Sequence, residues 1–357
     1  MTIGIHVGPS AGHLDGGGRG RDGDRGLSHG AILAGRVRGV DYSARVSPTP
    51  EDQLANLLDV LDLSFEGRTT VRVASTEGVV EDLRDSEGEV YVGRSQVMPH
   101  GRVFGGQVLA QCVVAAGRTV DLDDGDGPRH IHSLHGYFLR PGDDKEPIRF
   151  LVDRMRDGGS FSARRVHAVQ DGRILMSMIT SFQELAPGLD HQIPMPQVPA
   201  PDELPPDAEI LRQIDHPLAQ HAAARAVELR HVDPQLLPGS AIDPVERQSV
   251  WMRLPGEVPD NPHVHAAVLA YASDYSLLEP VLRRHGLAWG DPRLRVASLD
   301  HGMWFHRPAR VDEWVLYTQE APSAQGGRGL GIGHMFAEDG TLLATVGQEG
   351  MVRVKES

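Results

Sequence analysis

Two polar residues in the second half of the chain, Asp274 and Gln348, stand among neighbours that would bury them. Asp274 ends the stretch "YASD" and at helical spacing shares a face with Ala267, Ala270 and Tyr271. A carboxylate on such an apolar face needs hydrogen-bond donors. Gln348, in "GQEG", falls on the alternating series Leu342, Ala344, Val346, Gln348. On a strand whose aliphatic face points inward, its amide is buried with them and needs partners. Ser298 stands in "ASLDH" with no G-x-S-x-G motif around it, so as a nucleophile it would have to draw its base from Asp300 or His301. From the residues alone, Asp274 is a base, a loop cap or the partner of a buried arginine, and Gln348 is a site residue or part of a core network.

Other reactive side chains are less promising. The single Cys112 excludes an internal disulfide and a multi-thiolate metal site, and within "VLAQCVVAAG" it reads as a buried, inert thiol. His130, His132 and His135 of "HIHSLH" invite a metal reading. On a strand the first two share a face and the third does not, and no acidic or thiolate ligand is close in sequence, so neither a metal nor another cofactor is expected. Gly105 and Gly106 open an apolar helix candidate, "GGQVLAQCVVAAGRTV", whose first N–H groups something could approach closely.

These residues need elements to hold them. At 357 residues the chain is long for one core and suits two domains. Residues 1–47 contain "GGGRGRDGDRG" and little that could be buried, which predicts a disordered Gly/Arg-rich tail. Order begins at "TPEDQLANLLDVLDL": Thr49 suits an N-cap, Pro50 the first helical position and Asp52 the acid of a capping box. The stretch 69–92 alternates between glycine turns, as short strands or a hairpin do, and the buried helix from Gly105 follows. Then come the strand-like runs "IHSLHGYFLRP", "PIRFLVDRMRDG", "SFSARRVHAVQDG" and "RILMSMITSFQEL". From Pro187 to about Pro244 the chain is rich in proline, with a short helix candidate at "LAQHAAARAVEL", and reads as a linker crossing the surface.

The first pattern then returns. "RQSVWMRLP" precedes a long helix candidate, "VHAAVLAYASDYSLLEPVLRRHG", and after it come "RVASLDHGMWFHRP", "EWVLYTQEAPSA", "RGLGIGHMFAEDG" and "TLLATVGQEGMVR". Matching "HGYFLRP" to "HGMWFHRP" pairs His135 with His301, which suggests a shared structural role, and leaves Ser133 as the nearest counterpart of Ser298. A duplicated unit of one buried helix and an antiparallel sheet, over residues 48–190 and 244–357 with a linker at 191–243, is the simplest account.

From about Pro48 to the end the chain resembles the acyl-CoA thioesterase II family. The resemblance rests on "VFGGQV", "HSLHGYFLRPGD", "RDGGSFSARRV", "MPQVPAPDELP", "YASDYSLL", "ASLDHGMWFHRP" and "GQEG" in that order. It implies an α+β double hotdog, in which each long helix is wrapped by an antiparallel sheet. It also implies a catalytic trio of Asp, Thr or Ser, and Gln, carried here by Asp274, Ser298 and Gln348. On that reading the protein hydrolyses fatty acyl-CoA to CoA and a free acid, with Asp274 as general base and Ser298 and Gln348 orienting the water. Serine keeps the hydroxyl of a threonine and loses the β-branch that holds its rotamer.

Hotdog enzymes typically seat the thioester carbonyl near a helix N-terminus, which makes the Gly105 and Gly106 N–H groups oxyanion candidates. Arg164, Arg165 and Arg328 are basic candidates for the CoA phosphates, or else solvated strand faces. A hotdog hydratase would carry a histidine a few residues after the aspartate, where this chain has "YSLLEP". The alternative class is a non-catalytic acyl-CoA-binding or regulatory double hotdog, and the intact trio argues against it.

A net charge of -14 argues against a general nucleic-acid binder. No apolar run is long enough to span a bilayer, and the start lacks the apolar core of a secretory signal. The last residues, Lys355, Glu356 and Ser357, are not an S-K-L signal, so a cytoplasmic protein is expected. By resemblance, its partners are an acyl-CoA substrate and further copies of itself in a homo-oligomer.

Overall fold

A computed structural model describes residues 49–71, 86–120, 129–237 and 242–355. The Gly/Arg-rich tail at 1–47 and the middle of the 69–92 stretch lie outside the described residues. The first helix, α1 (Pro50–Leu61), starts at the expected capping box: Asp52 N donates to Thr49 Oγ1 at 3.2 Å and Thr49 N to the Asp52 carboxylate at 2.9 Å. It is followed by β1 (Ser64–Val71), β2 (Ser86–Gly93), α2 (Gly105–Gly117), β3 (Arg129–Phe138), β4 (Ile148–Asp157), β5 (Phe161–Gln170) and β6 (Arg173–Glu184). The proline-rich segment holds a 3-10 turn (Pro201–Glu203), α3 (Asp207–Leu211), α4 (Pro217–Ala223) and β7 (Glu228–His231). The second copy contributes β8 (Arg247–Arg253), α5 (Pro262–Ser273), α6 (Glu279–Arg284), β9 (Leu294–Ser298), β10 (Asp300–Phe305), β11 (Val315–Gln325), β12 (Arg328–Ala337) and β13 (Leu342–Val354).

Among the described residues these strands form one antiparallel sheet in the order β1-β2-β4-β5-β6-β3-β10-β13-β12-β11-β8-β7, with β9 paired to β13. Helices α2 and α5 pack side by side and antiparallel against it. A Cβ on Gly106 would lie 2.4 Å from the Tyr271 carbonyl oxygen, and one on Gly117 would lie 2.8 Å from the His263 ring. The small residues Gly106, Ala110, Ala266, Ala267 and Ala270 suit so close an approach, and all of them are buried. Leu109 and Val113 are fully buried beneath the sheet, each contributing roughly 1.5–3 kcal/mol.

The two echoing segments pair with each other. β3 and β10 lie antiparallel at the centre of the sheet, with His135 opposite Gly302 and Gly136 opposite His301. The sequence match of His135 with His301 is off by one residue. Leu139 N and Arg140 N both donate to Leu175 O, just as His306 N and Arg307 N both donate to Leu343 O. Counting back from these pairs makes Leu134 the counterpart of His301 and Ile131, not Ser133, the counterpart of Ser298. A one-residue slip moves a side chain to the other face of a sheet. Accordingly His135 is exposed on the outer face whereas His301 is buried against the helices.

Two further expectations are modified. The long helix after Pro262 is broken between Ser273 and Glu279, and Pro280, in the first turn of α6, has no N–H to offer the Ser276 carbonyl. That carbonyl instead accepts from Glu279 N at 2.8 Å and from the Gln248 amide at 3.4 Å. The proline-rich segment also does more than cross the surface. Part of its helix candidate is the strand β7, paired to β8, where Leu229 is buried, and Met195, Val198 and Leu204 pack on Trp251, Trp314 and Phe336.

Candidate active site

The break in the second helix places the aspartate. Asp274 is the C-cap of α5, with φ -84° and ψ -3°, and the chain beyond it lies flat on β12. A Cβ on Gly331 of β12 would come 2.2 Å from the Leu277 carbonyl oxygen, so only glycine permits that approach. Ser298 ends β9 beside a bulge: five residues from Ser298 to Gly302 oppose four from Gly350 to Gly347 on β13. Bulges re-aim side chains in this way next to functional sites. The equivalent bulge falls between Ile131 and Ser133 in the first copy.

Asp274, Ser298 and Gln348 are thereby brought into direct contact. Gln348 Nε2 donates to Asp274 Oδ1 at 3.0 Å and to Ser298 Oγ at 2.8 Å, while Ser298 Oγ donates to Asp274 Oδ1 at 3.3 Å. Burial nevertheless pushes the Asp274 carboxyl up to about 6, although the amide, the hydroxyl and the Gly106 N–H all favour its charged form. Asp274 and Ser298 keep part of their surface open, while Gln348 is 2% exposed.

Gly105 lies tightly against this carboxylate, where an added Cβ would be 2.7 Å from Asp274 Oδ2. Of the two glycines singled out for their N–H groups, Gly106 favours the charged form of Asp274, and Gly105 provides the first amide of the helix.

Behind the trio lies a buried shell, of which the sequence pointed only to His301, close to Ser298. His301 Nδ1 bonds Gln348 Oε1, and His301 Nε2 lies 2.9 Å from Ser273 Oγ. Burial drives the imidazole down to about 4, against the pull of the Gln348 bond, so the ring is neutral. Tyr317 Oη donates to the Ser273 carbonyl at 3.2 Å and ties down the end of α5. The spacing Ser273–Asp274 and Ser298–His301 carried this information, but only contact across the sheet reveals it.

Aromatic residues form a wall beside the site. Phe104, just before α2, stacks on Tyr275 at 5.0 Å and meets Tyr271 edge-on at 5.2 Å. The Arg225 guanidinium, from the segment after α4, lies 4.5 Å over the Tyr275 ring and enters no ion pair among the described residues. The arginines singled out in the sequence are placed differently. Arg164 is buried, donates to Thr119 and pairs with Asp157 at 2.7 Å, and Arg328 pairs with Glu349 at 2.9 Å.

The corresponding place in the first copy has no such chemistry. Ile131 stands for Ser298, Leu134 for His301, and Thr180, opposite Leu134, for Gln348. The C-terminus of α2 is closed by the ring of His263 against Gly117 and by Arg164.

A helix-backed antiparallel sheet with one polar trio at its helix junction defines a hotdog-fold enzyme. An Alicyclobacillus acidocaldarius protein described as having a hot dog fold matches the fold at a TM-score of 0.63 and 18% identity, over 84% of this chain and 99% of that one. Residues 94–183 match a model described as the acyl-CoA thioesterase N-terminal domain, and residues 222–351 one described as acyl-CoA thioesterase. The chain belongs to the acyl-CoA thioesterase family. It is 40% identical to human acyl-coenzyme A thioesterase 8 over 291 residues, covering 77% of this chain and 88% of the relative. It is 36% identical to acyl-CoA thioesterase 2 of Haemophilus influenzae, over 75% of this chain and 93% of the relative. The acyl-CoA thioesterase II TesB2 of Mycobacterium marinum is 40% identical, with a TM-score of 0.62 over 84% of this chain and 99% of that structure.

Proposed function

We propose that the protein hydrolyses fatty acyl-CoA thioesters, with Asp274 as general base and Ser298 and Gln348 orienting the attacking water. The observation that carries this reading is the sharing of Asp274 Oδ1 by the Gln348 amide and the Ser298 hydroxyl, beside the first turn of α2. A carboxylate held near 6 is mostly ionised at neutral pH yet basic enough to take a proton from water as the water attacks. The new C–O bond forms as that proton passes to Asp274, and the carbonyl π electrons move to oxygen. The Gly105 N–H stabilises this oxyanion. Collapse re-forms the carbonyl and breaks the C–S bond, and the proton on Asp274 passes to the departing CoA sulfur. Every step uses groups of the chain, water and the thioester.

Arg225 and the aromatic wall support a place for the anionic CoA portion, since a guanidinium with no carboxylate partner suits phosphate. Tyr137, Ile179 and Trp304 leave an exposed apolar patch on the outer face of the central strands, which supports a second copy docking there. Light scattering of the purified chain tests the oligomer, with a monomer at micromolar concentration counting against it. No helix among the described residues is long and apolar enough to cross a membrane. A cytoplasmic location is part of the same reading, and cell fractionation checks it.

The decisive experiment is release of CoA thiol from an acyl-CoA chain-length series by the wild type and by Asp274→Asn. We expect the variant to lose about 10²–10⁴-fold in kcat. A rate that survives the substitution, or no rate with any chain length, would sink the assignment.

A further inference from the structure

We propose that His301, backed by Ser273, is a positioning residue that fixes which way round the Gln348 amide faces Asp274. The inference rests on the reading of Asp274 as the base. The two ends of a side-chain amide are nearly equal in shape but opposite in hydrogen-bonding character. With its NH2 toward Asp274, Gln348 stabilises the carboxylate and supports Ser298. With its oxygen there, it would repel the carboxylate and leave Ser298 without a donor.

The choice is made on the far side of the amide. Gln348 Oε1 meets His301 Nδ1, so the ring must carry its proton on Nδ1. The neutral ring then has a bare Nε2, which accepts from the Ser273 hydroxyl at 2.9 Å. Ser273 Oγ also lies 2.9 Å from the Ala270 carbonyl, the competing acceptor for its single proton. The polarity runs from the Ser273 O–H through His301 and Gln348 to Asp274. Ser273, His301 and Gln348 are all buried, so no water stands in for a missing member. The titratable neighbours are Asp274 and Tyr317, and burial keeps the Tyr317 phenol protonated.

A second observation separates this role from packing. Leu134 occupies the equivalent position across the pseudo-two-fold, core-facing and fully buried, with Thr180 beside it. The fold accepts leucine at this point of the strand. Histidine stands where a glutamine has to be turned.

The test is His301→Leu, which copies the first half's own solution. We expect kcat to fall about tenfold to a hundredfold with KM within about twofold. The acid limb of the pH–rate profile should move to higher pH, because an amide free to turn no longer stabilises the Asp274 carboxylate. His301→Asn keeps a donor toward Gln348 and should recover most of the rate. If the leucine variant fails to fold, Ser273→Ala probes the same relay, with the same direction of limb shift expected. Wild-type kcat and an unmoved limb in His301→Leu would overturn the proposal, as would an asparagine variant no better than leucine. Should Asp274→Asn be inactive while His301→Leu is normal, this inference fails and the base assignment stands. An active Asp274→Asn instead removes the reading on which both depend.

Discussion

The first residue of α2, Gly105, lies against the carboxylate of Asp274 at the end of α5, where a Cβ would be 2.7 Å from Asp274 Oδ2. The first copy thus contributes a helix N-terminus and the second the carboxylate. Neither half of the duplication holds the site alone.

The pH–rate profile follows from the raised carboxyl. Asp274 must be ionised to accept a proton, and burial brings its pKa to about 6. We expect kcat/KM to be level above pH 7 and to fall about tenfold per pH unit well below 6. A flat profile between pH 4.5 and 8 in stopped-time thiol assays would exclude this base.

The same shift predicts a trade between activity and stability. A folded-state pKa raised above the unfolded value of 3.8 means that ionisation disfavours the fold, so stability falls as pH rises from about 4 through 6. Asp274→Asn removes that cost and should be more stable than wild type by roughly 1–3 kcal/mol at pH 7.5. The gap should close toward pH 4. Urea unfolding at both pH values checks this, and a variant less stable at pH 7.5 would contradict it.

The two glycines should respond differently to alanine. At Gly106 the Cβ would strike the Tyr271 backbone, 2.4 Å away, so Gly106→Ala should lower the melting temperature. At Gly105 the nearest atom is the Asp274 carboxylate oxygen at 2.7 Å, so Gly105→Ala should displace the base. A loss of kcat on the order of 10²-fold with a smaller change in melting temperature is expected.

The proline-rich segment is locked by a buried ion cluster. His231 on β7 lies 2.6 Å from Asp207 and 3.5 Å from Glu279, which also accepts from Gln248 and Trp289. Burial alone would lower the His231 pKa, but the two carboxylates carry it up to about 10. Replacing His231 with Gln leaves both carboxylates uncompensated and should cost about 3–5 kcal/mol near pH 6. Because the folded pKa is raised, the contribution is complete below about 6.5 and is lost as pH rises to 10. Denaturation midpoints should therefore converge with the variant's at high pH.

Arg225 supplies a test of substrate seating. Arg225→Ala should raise KM for acyl-CoA about threefold to tenfold and leave kcat nearly unchanged, with a weaker effect on an acyl-pantetheine lacking the nucleotide. Equal effects on both substrates would remove Arg225 from the phosphate-binding role.

Much was legible because periodicity and caps are local. The capping box at Thr49, the all-round apolar helix from Gly105 and the alternating strands stand as read, since their causes lie within a few residues of sequence. Asp274 and Gln348 were visible as polar letters among apolar ones, Ser298 was marked by the family resemblance, and the geometry brings all three together. The match of His135 with His301 misled because residue type was aligned where sheet register decides. One extra residue before Arg307 turns the second histidine inward.

Sequence alone determined the duplicated helix-and-sheet unit and the polar letters of the second copy, because both are written in local pattern. Only the tertiary structure decided that the first turn of α2 meets the carboxylate at the end of α5, and that His301 rather than His135 reaches the glutamine. Those relations join residues dozens of positions apart. Their energies come from burial and hydrogen-bond partners that exist only once the two copies have closed on one another.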